Sequence, residues 1–205
     1  MQRMRSGTTT LGLHRAERSS VLRIRLLVLV ELLCGVFAPL LVAQTRPSED
    51  DVKAAYLFNF GKFVREPEAM AQPVDFVICV LGRDAILPVL ERITLHEHID
   101  DRAVEVRRYD KAADARGCAI VYLGRAEAAR IDEDLAALQG ANVLTVGDDP
   151  KFLSRGGMLQ FLLQDNRVRF AVNLDAVGRS NLHLSSELLR VAASVSGQPH
   201  VEVPR

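Results

Sequence analysis

The chain has 205 residues, in which 26 Lys and Arg balance 26 Asp and Glu, and it contains no Trp. Residues 1–43 carry six Arg against Glu17 and Glu31, so residues 44–205 hold 20 basic and 24 acidic side chains, a net of −4. With no Lys/Arg run in that part, the composition argues against nucleic acid as a partner, and about 160 residues suit one domain with one core.

Arg3, Arg5, Arg15, Arg18, Arg23 and Arg25 precede the apolar run "LLVLVELLCGVF" and then "APLLVAQT". A basic region, an apolar region and a small residue describe a secretory signal peptide over residues 1–43, cut after Ala43. Export to the periplasm follows from it, and Cys34 would leave with it. The competing reading is an uncleaved anchor, because Leu26 to Val42 is just long enough to span a bilayer.

Ser48 opens "EDDVKAAYLFNFGKFVRE". With Asp51 it resembles a capping box, and acids fill the first turn. Val52, Ala55, Tyr56, Asn59, Phe60 and Phe63 form one helical stripe, in which Asn59 needs hydrogen-bond partners. Ala54, Leu57, Phe58, Gly61 and Val64 form a second apolar side. Such a helix is buried on both faces, or it offers one to a partner. Leu57, Phe58 and Val64 are therefore the candidate partner-binding residues. Pro67 stops the helix.

Short apolar runs then alternate with helical segments. "VDFVICVL" (74–81) reads as a buried strand and "GRDAILPVLERI" as a turn and short helix. "AVEVRRY" (103–109) and "CAIVYL" (118–123) are further strands. "GRAEAARIDEDLAALQG" is a helix ending at Gly140, and "NVLTV" (142–146) is a fourth strand. After a helical turn in "DPKFLSRGG", "MLQFLLQ" and "RVRFAVN" flank Asp165-Asn166 as an antiparallel hairpin. "NLDAVGRS" is a helical turn. Ser185 or Ser186 then caps "ELLRVAAS", which turns Leu188, Leu189 and Ala192 to the core. The expected fold is a single three-layer α/β domain over 48–195, followed by a tail over 196–205. It has a mixed, mostly parallel sheet of five or six strands with helices on both faces.

Three strands end in glycine, at Gly82, Gly124 and Gly147. These tips would share the carboxyl edge where open α/β sheets bind ligands, although each turn could simply want a residue free to take positive φ. No dinucleotide or phosphate-loop motif accompanies them. "HEHIDD" (96–101) collects His96 and His98 with acids, but its spacing suits a solvated loop better than a metal site. Asp148, Asp149 and Asp165 occupy positions that turns favour. Ser154 lacks a nucleophile elbow. Arg179 and His183 are candidate ligand contacts. No acid, base and oxyanion site assemble, so neither catalysis, a metal nor a cofactor is expected. Cys79 and Cys118 lie in two buried strands. They read as inert core thiols or as one bridge closing a loop of about 40 residues.

"VKAAYLFNFGKFVREP" (52–67), "GGMLQFLLQDNRVRFAVNLDAVGRSNLHLSSELLRVA" (156–192) and the pair "FVICVLG" and "GCAIVYLG" together resemble the YfiR family of HmsC-like periplasmic proteins. The resemblance implies that Cys79 and Cys118 form a disulfide. It also implies a non-enzymatic regulator that binds and represses an inner-membrane diguanylate cyclase, lowering cyclic-di-GMP and biofilm output. An outer-membrane lipoprotein that relieves the repression is the further partner it suggests, and a second copy of the chain is expected from the second apolar side of the first helix. The sequence departs from the family at Glu66-Pro67, where Trp-Pro is common, and lacks a second cysteine pair. The alternative class is a periplasmic small-ligand-binding protein or minor hydrolase using the strand-tip edge. Acidic or histidine groups with strongly shifted pKa values in a pocket there would favour it.

Overall fold

The computed structural model describes residues 46–65 and 75–198. The expected signal peptide, Glu66-Pro67 and the last seven residues of the tail lie outside the described residues. Helix α1 (Glu49–Phe63) begins with a reciprocal cap. The Asp51 N–H donates to Ser48 Oγ at 3.1 Å, and the Ser48 N–H donates to Asp51 Oδ2 at 2.9 Å. Two otherwise orphaned N–H groups are thereby satisfied. Asn59 is exposed, so it requires no partner within the apolar stripe.

The strands of the main sheet are β2 (Asp75–Leu81), β3 (His98–Ile99), β4 (Arg102–Tyr109), β5 (Ile120–Leu123), β6 (Leu144–Gly147), β7 (Leu159–Gln164), β8 (Arg167–Asn173) and β10 (Ser194–Ser196). They lie in the order β10-β8-β7-β6-β5-β2-β4-β3. The β3–β4 and β7–β8 pairs are antiparallel and the other pairs parallel. A separate ribbon pairs β1 (Val64–Arg65) with β9 (His183–Leu184).

Among the described residues the sheet thus has eight strands, where five or six were expected. All six strands legible in the sequence are present. The two additions, β3 and β10, are edge strands of two and three residues, too short to show a period-two pattern. Strand β3 lies inside "HEHIDD". Its hairpin to β4 turns on Asp100 and Asp101, whose φ angles are 49° and 64°. Two consecutive left-handed residues are what a tight two-residue hairpin requires. Asp165 and Asn166, at 48° and 57°, make the same turn between β7 and β8.

Side chains alternate along β2, and the core divides with them. Phe76, Ile78 and Val80 join a cluster with α1 and with α2 (Ile86–Thr94). Val77, Cys79 and Leu81 join a second cluster with Ala112, Ala115 and two residues of α3 (Ile131–Leu138). At the end of β8, Asn173 caps α4 (Leu174–Gly178), its Oδ1 accepting from the Ala176 N–H. Ser185 caps α5 (Ser186–Val191), which returns Leu188 to the first cluster. Among the described residues, no helix is long and apolar enough to cross a membrane.

Candidate functional site

The chain passes from β2 to β4 on one side of it, then returns to β5 on the other. The carboxyl ends of β2 and β5 therefore flank a topological switch point, where open α/β sheets place ligands. Here that position holds an ionic cluster. Lys53 Nζ lies 2.6 Å from both Glu49 Oε1 and Asp148 Oδ2, the latter just past the end of β6. Arg125 Nε is 3.5 Å from the same Asp148 oxygen. The Lys53 and Asp148 side chains are each only 6% exposed. Asp84 sits beside them, accepting from the Ile86 N–H at 2.9 Å as α2 begins.

The electrostatics follow from this packing. Burial opposes the ammonium charge of Lys53, but hydrogen bonds to Asp148 and Glu49 outweigh it and raise its pKa above the ordinary lysine value. Its ammonium is thus held charged, as a counterion and not a base. Burial raises the Asp84 pKa, with the Ile86 N–H opposing and the Asp148 charge adding to the rise. Burial, with Asp148 and Asp84 nearby, also pushes the Tyr122 phenol far up. These shifted acidic groups stand at the tips, yet they pack against protein. A Cβ on Gly124 would run into Asp84 Oδ2, and one on Gly147 would run into the Phe152 ring. Of the three tip glycines only Gly82, with φ of 69°, owes its identity to a left-handed backbone. The cluster clamps α1 to the strand tips.

The sequence reading missed Lys53. Its signal is a lysine placed between Val52 and Ala54 in an otherwise apolar helix, four residues after Glu49.

Cys79 and Cys118 are bonded, with Cα atoms 6.1 Å apart, and tie β2 to the segment entering β5. Leu57, Phe58 and Val64 are buried in the first cluster at 0%, 9% and 9% exposure. A partner would reach these side chains only after α1 left the core. Arg179 follows α4 and borders a cavity beside α3, whereas His183 is exposed in β9 opposite Arg65. Ser154 spends its hydroxyl on the Lys151 carbonyl, and Asp149 accepts from the Lys151 N–H. Among the described residues, no group of three or more His, Cys, Asp or Glu is arranged to hold a metal.

Residues 50–193 match the model of the YfiR/HmsC-like family, a span reaching from α1 to the entry of β10. The chain belongs to that family. No curated protein matches it in sequence. Among solved structures, it is similar to a conserved domain protein from Vibrio cholerae O1 biovar El Tor str. N16961, with a TM-score of 0.52 and 12% identity. The match covers 74% of this chain and 62% of that one, so this chain spans less than two thirds of that protein's length. At such identity the likeness is one of fold alone. In this YfiR/HmsC-like chain, the matched span contains both bonded cysteines and every residue of the ionic cluster except Glu49.

Proposed function

We propose that this chain is a non-enzymatic periplasmic regulator that binds and represses an inner-membrane diguanylate cyclase, lowering cyclic-di-GMP and biofilm output. The observation that carries the reading is the family match across residues 50–193. The Cys79–Cys118 bridge supports export, because disulfides persist in oxidising compartments. The charge pattern of residues 1–43 supplies the matching address. The tip cluster favours regulation over hydrolysis: its lysine is a charged counterion, and its buried carboxylate, Asp148, is engaged by that lysine. A three-layer arrangement belongs to the same reading, supported by the division of the core into two clusters.

Leu57, Phe58 and Val64 serve this function from inside, holding α1 so that its exposed residues, Asn59 and Lys62 among them, face a partner. An outer-membrane lipoprotein and a second copy of the chain remain the further partners of the proposal. Deleting the gene in a strain that carries the cyclase should raise cyclic-di-GMP and biofilm mass. Restoring the chain in trans should reverse both. Unchanged cyclic-di-GMP in the deletion strain would reject the assignment.

A further inference from the structure

We infer that the cavity between α3, the Arg155–Met158 segment and α4 binds a small organic carboxylate with a short aliphatic body. The site is distinct from the strand-tip cluster and shares no residue with it, so the inference stands apart from the cyclase reading.

The cavity measures about 270 Å³, close to the lower end of small-molecule sites. Its lining divides by chemistry. Leu138, Val143, Met158 and Ala176 are buried and form an apolar wall, with Leu135 half-buried beside them. Among the described residues no aromatic ring lines it, so the wall suits branched aliphatic carbon better than a flat ring.

The rim is cationic in a part of the chain that is acidic overall. Two guanidiniums, Arg155 and Arg179, face one carboxylate, Asp132. Arg155 is already engaged, its Nη1 donating to the Ala128 carbonyl and its Nε lying 3.7 Å from Asp132 Oδ1. Arg179 has no such engagement: among the described residues no carboxylate pairs with it. Its Nη2 passes over Gly156, where even a Cβ would come within 3.7 Å. A planar guanidinium at the mouth of an aliphatic cavity is suited to a carboxylate, which it can hold through two parallel N–H···O bonds.

The test uses 4-methylpentanoate as probe, its uncharged isostere 4-methylpentanamide, and inorganic phosphate. Each is titrated into the purified chain by calorimetry, with amide chemical shifts to locate binding. The acid should bind and shift residues of α3, the 155–158 segment and α4, with the amide at least about tenfold weaker. Arg179→Ala should weaken the acid by at least about tenfold and leave the amide unchanged. Ala136→Phe, at an exposed helical position on the cavity lining, should block both without lowering the melting temperature. Equal binding of acid and amide would overturn the assignment of Arg179. Phosphate binding as tight as the acid and surviving Ala136→Phe would mark a surface anion site and overturn the cavity. No binding of the acid at about 10 mM would overturn the proposal outright.

Discussion

The two apolar clusters of this domain are built on different terms. The one against α1 is aromatic. Phe60 lies 5.0 Å from Phe170 and 5.9 Å from Phe161, ring centre to ring centre, and Tyr56 lies 5.5 Å from Phe170. Among the described residues, the opposite cluster, under α3, buries Phe152 fully and Tyr109 partly, and is otherwise built of small or aliphatic groups around the Cys79–Cys118 bridge. Large rings bury much area per residue and gain from edge-to-face contact, so the first cluster holds by packing. The second buries smaller groups, and a covalent tie constrains the unfolded chain in its place.

The sharpest way to break the first cluster is Phe58→Asp. It removes a buried ring and places under α1 a carboxylate whose one nearby cation is the exposed Lys62, with Nζ 4.3 Å from the ring centre, combining cavity and charge burial. The expected loss is about 5 kcal/mol or more, seen as collapse of the urea midpoint and of helical circular dichroism. Retention of the wild-type midpoint would show that α1 is not held as described.

Next in size is Lys53→Ala, which strands the Asp148 carboxylate in a site only 6% exposed. Removing one member of a buried pair costs about 3–5 kcal/mol, and Arg125 at 3.5 Å places this case toward the lower end. Lys53→Met with Asp148→Leu should regain most of that loss in chemical denaturation, because neither charge is then left alone. A double variant no better than the single would mean the cluster does more than balance its own charge.

The second cluster is probed by replacing both Cys79 and Cys118 with Ala. Loss of a bridge with a sequence separation of 39 should cost about 3–4 kcal/mol. Reductant should lower the urea midpoint of the parent chain and leave that of the variant unmoved. If Phe60→Ala, for which about 3–5 kcal/mol is expected, costs less than about 1 kcal/mol while bridge removal unfolds the domain, the contrast between the clusters fails.

The smallest effect has the opposite sign. Asp134 on α3 is 4% exposed, its Oδ2 has no hydrogen-bond partner, and Arg130 is 3.6 Å from Oδ1. Burial raises its pKa, with Arg130 opposing. A carboxyl whose folded pKa is raised is least favourable when ionised. The folded state therefore gains from this group as pH falls toward the ordinary carboxylate range, and loses that gain above it. Asp134→Asn should raise the melting temperature slightly at pH 7, by the equivalent of about 1 kcal/mol or less. That advantage should shrink in melts run toward pH 4. Glu49 and Asp51 run the other way, since hydrogen bonds from Lys53 and Ser48 lower their pKa values, and their contribution fades on acidification. Comparing variant and parent at each pH cancels them.

The contrast also explains what could be read in advance. The Ser48 cap, the six longer strands, the Asp165-Asn166 turn and the Ser185 cap are local, and each depends on residues within a turn or one strand. The short strands β3 and β10 carry no period of their own. Each exists because a longer neighbour, β4 or β8, leaves an edge to pair with. Gly124 and Gly147 looked like turn residues and prove to be clearances for Asp84 and Phe152, partners that only folding brings near.

By itself the sequence determined the α/β class, the order of the main elements and the kinship to YfiR/HmsC-like proteins. These follow from periodicity, capping chemistry and motif order, all properties of neighbouring residues. Tertiary structure alone decided that Lys53 meets Asp148 across 95 positions, and that Phe58 faces inward. It also decided that Arg179 borders a cavity with Met158, and that His183 pairs with Arg65. Those are contacts between distant segments. They are set by where the switch in strand order and the helix crossings bring them, and no local pattern encodes that placement.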